Sequence, residues 1–320
     1  MSAFLASAIT IGMVFLFGCV GEIITEKAGH LNLGIPGIMC IGTAGGCFGV
    51  SIYINSTPVG QVSLILLLLS AVLLSCLFSA IAGLIYAFLT VTLRANQNVT
   101  GLALTIFGSG FTQFFMESAV DKSRFAEASK VMSLHLPFAD NLGWFGEIFL
   151  SHGALVYLAI AIAVITAIIL KRTRLGLNLR AIGENPATAD AVGINVTAYK
   201  YGAILIGSAI AGLGGLFYIM NFVGGSWENA STIEALGWLS IALVIFTLWK
   251  PDLSILGSVV FGALYIVNTK IAGINFSQMI LLKLLPYLIT VIVLIVTSII
   301  GKKETQPPAS LGINYFREDR

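Results

Sequence analysis

The sequence has very few charged residues. Only 10% of its 320 residues are Asp, Glu, Lys or Arg, while 57% are apolar, whereas a soluble domain carries about 25% charged residues. Charges are missing altogether from Leu31–Leu93 and again from Ala95–Met116, Ile148–Leu170 and Tyr201–Trp227. Because a helix crosses the hydrocarbon core in about 20 apolar residues, the first of these segments holds at least two spans. The composition argues against a soluble enzyme and predicts an all-α polytopic membrane protein.

Motifs for catalysis and cofactor binding are also missing. The chain has no G-x-x-x-x-G-K-[ST], so it is not expected to hold ATP in a P-loop, and no H-E-x-x-H or G-x-S-x-G. The four cysteines lie in apolar segments without a C-x-x-C pair, and the three histidines are isolated. The net charge of +2 gives no reason to expect nucleic acid. We therefore predict no catalytic residue, no metal and no cofactor bound by this chain.

About nine transmembrane helices, within a range of 8 to 10, account for the apolar segments. The predicted spans are 3–21, 31–50, 62–93, 97–116, 153–170, 199–223, 235–250, 253–270 and 280–300. We expect residues 1–300 to form one transmembrane domain and residues 301–320 to form a polar, loosely ordered cytoplasmic tail.

The charges of the connecting loops predict the orientation. Segment 171–200 carries five basic residues and two acidic ones, whereas segment 117–147 carries three basic and five acidic residues. Short loops rich in Lys and Arg stay in the cytoplasm, so 171–200 is predicted inside and 117–147 outside. With nine spans, the N-terminus is then outside and the C-terminus is cytoplasmic.

Glycine is concentrated in Gly29–Gly49, which holds seven glycines together with Asn32 and Pro36. Two interpretations remain open for this segment. A broken or re-entrant element would leave backbone groups that must be buried in protein or face water, as at transporter substrate sites. Close packing of small residues on a neighbouring helix explains the same composition.

Span 97–116 carries a stripe of polar and small residues. Gln97, Gly101, Thr105, Gly108 and Thr112 fall on one side of a helix. The stripe fits either helix packing or a pore-lining face. Asn96, Gln97 and Asn98 form an amide cluster at its start.

Two acidic residues, Glu22 and Glu234, lie close to apolar runs. A carboxylate within a membrane is a functional candidate by default. Because both lie near predicted span ends, we expect them to be solvated or paired with lysine.

The loop Arg180–Ile194 has signals for a short helix with both ends specified. Asn185 can cap it, Pro186 suits its first turn, and Gly193 can end it. The alternatives are a plain capped turn and a docking element for a cytoplasmic partner.

Four segments resemble a known family. GEIITEKAGHLNLGIPGIM (21–39), ANQNVTGLALTIFGSG (95–110), TRLGLNLRAIGENPATADAVGIN (173–195) and ALGWLSIALVIF (235–246) are similar to permease subunits of bacterial ABC importers for simple sugars, branched-chain amino acids and nucleosides. The ANQ and NLG segments resemble most the nucleoside branch, which works with a basic-membrane-type lipoprotein.

The resemblance implies a set of partners and no enzymatic activity of the chain itself. A second permease chain, a cytoplasmic ATPase subunit that uses the ATP, and an extracytoplasmic substrate-binding lipoprotein would complete the importer in a bacterial cell membrane. Within the loop 171–198, the residues that would couple to the ATPase are Gly183, Glu184, Asn185, Pro186, Ala189, Asp190 and Gly193. The substrate pathway is predicted near Asn32, Gln97, Asn98, Thr105 and Phe107.

Other functions stay open as alternatives. A permease for a simple sugar or a branched-chain amino acid would share the same architecture. An ion-coupled secondary transporter would need a carboxylate deep within a span. A membrane-embedded enzyme would need several ionisable groups converging at one interface.

Overall fold

A computed structural model describes residues 2–135, 142–267, 271, 273, 275–300 and 306–316, and every regular element in these ranges is a helix. The helices are α1 (Ser2–Lys27), α2 (Ile35–Ser56), α3 (Leu64–Ala87), α4 (Gln97–Ser118), α5 (Phe125–Met132), α6 (Gly143–Phe149), α7 (Ala154–Arg172), α8 (Arg174–Glu184), α9 (Pro186–Ala191), α10 (Val196–Phe217), α11 (Ala230–Phe246), α12 (Pro251–Ile266), α13 (Phe276–Lys283) and α14 (Leu285–Ile300). Two π-helical turns, Phe88–Thr92 and Tyr218–Phe222, extend α3 and α10.

Seven helical segments of the described chain are long and apolar enough to cross a membrane. They are Ser2–Lys27, Ile35–Ser56, Leu64–Thr92, Gln97–Ser118, Ala154–Arg172, Val196–Phe222 and Ser277–Ile299. The apolar helices α11 and α12 are shorter. Each of the nine predicted spans overlaps one of these elements, although positions 268–270 of the eighth lie outside the described residues. The polytopic all-α class is confirmed, while seven helices rather than nine reach full spanning length.

Helices α1, α2 and α10 form the interior of the bundle, and α3, α4, α7 and α14 present apolar faces outward. Gly42 of α2 lies against Gly212 of α10, where a Cβ on Gly42 would come within 2.4 Å of the Gly212 Cα atom. Small residues let two helix backbones approach closely in a membrane, where burial of apolar surface drives association only weakly. The glycines of α2 therefore serve packing.

The break in the Gly-rich segment lies before α2 rather than within it. Helix α2 is continuous from Ile35, with Pro36 in its first turn. Proline is tolerated there because a backbone N–H at that position would have no acceptor within the helix. Residues 28–34 form a non-helical turn that folds back among α1, α3 and α4. Both interpretations of the segment thus apply, each to a different part.

We call one end of the bundle the basic end; it comprises the turn 28–34, the loop 173–195 and the tail 306–316. Tail residues 306–316 are packed on the bundle there. Ser310 is buried, and its backbone N–H donates to the Gly183 carbonyl at 2.9 Å. The expectation of a loosely ordered tail is wrong for these residues, because polar side chains bind them to two separate loops. Residues 301–305 and 317–320 lie outside the described part of the chain.

At the opposite end of the bundle, α5 covers the ends of α2 and α10. The Arg124 guanidinium donates to the carbonyls of Ile54 and Thr57 at the end of α2, where the last carbonyls have no i+4 N–H partner within the helix. Ser129 is buried, with its hydroxyl donating to the Met220 carbonyl at 2.6 Å. This predicted outer loop is therefore an ordered cap over its described residues, and positions 136–141 lie outside them.

We expect Gly42→Ala to destabilise the protein by about 1–3 kcal/mol, because the added methyl group overpacks the contact with Gly212. Gly202→Ala is the matched control, since a Cβ at Gly202 meets no atom within 4 Å and removing a helical glycine is worth about 0.5–1 kcal/mol of stability. Thermal unfolding of the purified chains in detergent compares the two. Equal melting temperatures would contradict the packing role of Gly42.

Candidate functional site

The turn 28–34 lies inside the protein, and its backbone is hydrogen-bonded to side chains from several helices. The Leu31 N–H donates to Gln97 Oε1 at 2.9 Å, and the Leu31 carbonyl accepts from the Tyr86 hydroxyl at 2.6 Å. The Leu33 carbonyl accepts from the Thr105 hydroxyl at 2.8 Å. Buried backbone outside a helix must find its hydrogen-bond partners elsewhere in the protein. The polar side chains around the turn supply them.

A carboxylate of α1 holds the middle of the turn. The Asn32 N–H donates to Glu22 Oε1 at 2.9 Å, and the Asn32 side chain accepts from the Gly34 N–H at 3.0 Å. One turn further along α1, Glu26 accepts a hydrogen bond from the Trp249 indole. Both carboxylates are buried. The expectation that Glu22 is solvated or paired with lysine is therefore wrong, because the turn 28–34 covers it. Glu234, for which the same was expected, is partly exposed.

The polar stripe of α4 packs against protein. All five of its residues are buried, and Gly101 and Gly108 lie against the turn and against Gly37 of α2. Leu102 and Ile106, on the other side of the helix, are exposed. Of the two alternatives for this stripe, the structure shows helix packing.

The predicted pathway residues fall into two groups. Asn32, Gln97 and Thr105 are buried and bonded to the turn, whereas Asn98 and Phe107 are exposed on α4. The Phe107 ring stacks on that of Phe111 with centroids 6.0 Å apart. Asn98 and Phe107 are nine residues apart, about 180° around the helix, so they lie on opposite sides of its exposed surface. Each is uncharged, which suits a hydrogen-bonding solute with a flat ring. A pathway role for the five residues stays a prediction.

The loop between α7 and α10 contains the short helix that the sequence predicts. The Asn185 side chain caps α9 by accepting the Thr188 N–H at 3.0 Å, Pro186 opens the helix, and Gly193 follows it with a φ of +88°. Ala189 is buried against Ile182 and Val196. Glu184, Asn185 and Val192 are exposed. The helix thus has one packed side and one free side among the described residues.

Two tail residues that sequence reasoning missed connect this loop to the amide cluster. The Tyr315 hydroxyl donates to Asp190 at 2.8 Å. Its neighbour Asn314 accepts from the Gln97 amide at 3.0 Å and donates to the Arg94 carbonyl at 2.7 Å. Gly183 packs so closely on α1 that a Cβ would lie 2.3 Å from the Lys27 carbonyl oxygen. No motif in the sequence marks Asn314 or Tyr315, because their partners lie more than a hundred residues away.

These contacts define a class of protein. The described residues form a bundle of apolar helices with a buried polar turn and a rigidly held short helix at one end, and they contain no group of three or more metal-ligating side chains. This is the architecture of a membrane permease. Residues 4–297 match the family of permease components of branched-chain amino acid transport systems. The chain belongs to this family, which confirms the resemblance.

Similar proteins match along most of the chain. The nucleoside ABC transporter permease protein NupC of Lactococcus lactis is 32% identical over 94% of this chain and 93% of its own length. The guanosine ABC transporter permease protein NupQ of Bacillus subtilis is 29% identical over 94% of this chain and 92% of its own. A candidate glucose ABC transporter permease, TsgC13 of Haloferax volcanii, is 33% identical over 78% and 72%.

The same Lactococcus strain has a second similar protein, the nucleoside ABC transporter permease protein NupB, at 24% identity over 69% of this chain and 60% of its own. These relatives are transport subunits rather than enzymes, and the chain is a multi-pass membrane permease subunit like them.

Gln97→Met keeps the length of the side chain but removes both hydrogen bonds of the amide. We expect a loss of about 1–3 kcal/mol, because the Leu31 N–H is left buried without an acceptor. Asn98→Ala, at the exposed neighbouring position, should change stability by less than about 0.5 kcal/mol. Chemical unfolding of both variants in detergent measures the difference. If Gln97→Met unfolds like the parent protein, the amide does not hold the turn.

Proposed function

We propose that the chain is a permease subunit of an ATP-driven ABC importer whose substrates are nucleosides. The observation that carries the proposal is the similarity, over more than nine-tenths of the chain, to permeases described as transporting nucleosides or guanosine. The exposed surface of α4 is compatible with it, since the stacked Phe107 ring offers a flat apolar surface and Asn98, on the other side of the helix, an uncharged hydrogen-bonding group. A sugar permease is the second candidate, favoured by the 33% identity to TsgC13.

The proposed assembly pairs this chain with a second permease. The presence of NupC and NupB in one organism supports two different permease chains in one system. A cytoplasmic ATPase subunit would bind and hydrolyse the ATP, and an extracytoplasmic lipoprotein would deliver the substrate. The pathway would run between the two permeases along the outer face of α4, which is not covered by the chain's own described helices.

Within this pathway, Phe107 would face the substrate on one side of α4 and Asn98 on the other, at the start of the helix. Asn32, Gln97 and Thr105 would act by holding the turn 28–34 in place. Phe107→Leu should lower the transport rate by about twofold to tenfold, the change that corresponds to the free energy of one lost aromatic contact. Phe88→Leu is the control, since Phe88 is also exposed but lies in the π-helical turn that ends α3 rather than on α4. Equal transport by the two variants would remove Phe107 from the pathway.

The coupling element would be α9 with the residues on either side of it, from Gly183 to Gly193. Its packed side is fixed by Ala189, by the Asp190–Tyr315 hydrogen bond and by the close contact of Gly183 with α1. A rigid element can transmit a movement of the ATPase to the spans as a rigid-body rotation. Its free side, with Glu184 and Val192, would seat on the ATPase.

We expect Val192→Asp to abolish co-purification of the ATPase while leaving membrane insertion intact. The side chain of Val192 is 72% exposed, and a charge placed within an apolar docking contact is left without a partner. Val59→Asp is the matched control, because Val59 is 79% exposed at the opposite end of the bundle. Retention of the ATPase by Val192→Asp would count against docking on α9.

The proposed orientation places the basic end in the cytoplasm and the N-terminus outside. Cysteine labelling of intact cells tests this orientation, because the membrane shields one end from an impermeant thiol reagent. Ser129 is unsuitable for the outer position because it is buried, whereas Lys130 and Thr188 are exposed. A cysteine at Lys130 should react and one at Thr188 should not. The reverse result would invert the orientation.

Uptake of a labelled nucleoside tests the function as a whole. Cells that lack the gene should lose uptake, and restoring the gene should recover it. Uptake should fall when ATP is depleted and persist with a protonophore while ATP is maintained, since an importer driven by ATP needs no proton gradient. If unlabelled glucose or leucine inhibits the uptake of the labelled nucleoside and unlabelled nucleosides do not, the substrate class is a sugar or an amino acid instead.

A further inference from the structure

A polar cavity of about 480 Å³ lies at the basic end, between the turn 28–34 and the start of α10. Its lining includes His30, Thr90, Arg94, Asp190, Thr197 and Lys200. The volume falls within the range of about 300–1,000 Å³ for small-molecule sites. Asp190 and Gly193 of the coupling residues also line it, but His30, Thr90, Arg94 and Lys200 belong to neither the coupling nor the pathway residues, so the cavity calls for an explanation of its own.

Two buried side chains in the cavity wall lack partners. His30 is 1% exposed, and neither of its ring nitrogens makes a hydrogen bond of ordinary length and angle, although the ring lies beside the Thr90 backbone. Lys200 is 2% exposed, and no described residue forms an ion pair or hydrogen bond with its ammonium group. Burial of a cation without a partner is costly, and a buried polar group is normally hydrogen-bonded. Both groups therefore point to a ligand.

The charge of the wall selects the kind of ligand. Helix α10 begins at Val196, and the first-turn N–H groups of Val196 and Thr197 have no acceptor within the helix. Such a helix start attracts anions. Arg94 and Lys200 add two cations, while the Asp190 carboxylate accepts from the Tyr315 hydroxyl.

His30 completes the set as a neutral group. Burial, and secondarily the nearby Lys200 ammonium, lowers the pKa of His30 to about 3. At neutral pH the ring carries one N–H donor and one acceptor, so it can donate to an anion without carrying a charge of its own.

We propose that this cavity is a binding site for the phosphate group of a small molecule, held by the Lys200 ammonium, the His30 ring and the first turn of α10. The cavity is much larger than a phosphate ion, so it has room for an attached group the size of a nucleoside. The Asp190 side chain links its wall to α9, so that occupancy would stiffen the coupling element. A free phosphate ester and the headgroup of an anionic phospholipid share this chemistry.

Calorimetry on the full-length chain in phosphatidylcholine nanodiscs tests the site, without the ATPase, which binds nucleotides itself. The probes are inorganic phosphate and adenosine monophosphate. We expect the monophosphate to bind more tightly, and Lys200→Gln to weaken its binding about tenfold or more. Lys200→Arg should retain binding, which separates loss of the charge from a failure to fold. Lys171→Gln is the matched control, because Lys171 lies outside the cavity and pairs with Asp252 at 2.8 Å.

A lipid source gives a different result. If the soluble probes do not bind, nanodiscs that contain phosphatidylglycerol should yield chains that retain this lipid, and Lys200→Gln should lose it. That result would support a phosphate site occupied by a headgroup. The proposal is overturned if the parent chain and Lys200→Gln bind equally well. It is also overturned if the parent chain binds neither inorganic phosphate nor adenosine monophosphate at millimolar concentration and retains no phosphatidylglycerol. Because the experiment measures binding to this cavity, a negative result is distinct from a failure of the nucleoside-uptake experiment.

Discussion

The need to satisfy the backbone of the turn 28–34 inside the bundle shapes the rest of this structure. The turn is largely buried in the protein, so its N–H and carbonyl groups need protein partners. Glu22, Tyr86, Gln97 and Thr105 provide four of these partners from three helices. Through these bonds the turn fixes the spacing of α1, α3 and α4. This requirement explains why polar residues interrupt otherwise apolar spans.

The same residues connect the membrane-spanning part to the loop at the basic end. Gln97 bonds to the turn and to Asn314, and Tyr315, the neighbour of Asn314, bonds to Asp190 of α9. Contiguous hydrogen bonds and packed side chains, rather than a flexible linker, thus connect α9 to α4. The tail is part of this connection, although it reads as a polar terminus in the sequence.

The buried carboxylates bear on the choice between ATP-driven and ion-coupled transport. Glu22 has the burial that an ion-coupled transporter requires. One of its oxygens, however, accepts from the Asn32 N–H, and Glu26 accepts from the Trp249 indole. The structure thus gives both residues a part in holding the turn and the neighbouring helix. The other oxygen of Glu22 has no hydrogen-bond partner among the described residues, so the turn accounts for only one of the two oxygens. Family membership supports the ATP-driven mechanism.

The sequence by itself determined the helical class, the approximate ends of the spans and the capped helix α9, because these depend on local hydropathy and on capping within a few residues. Only the tertiary structure decided which polar residues are buried. Gln97 and Asn98 are neighbours with similar side chains, yet the turn covers the first and leaves the second exposed. The burial of Glu22, the packed tail and the cavity at Lys200 likewise arise from contacts between segments far apart in the chain, and hydropathy carries no information about such contacts.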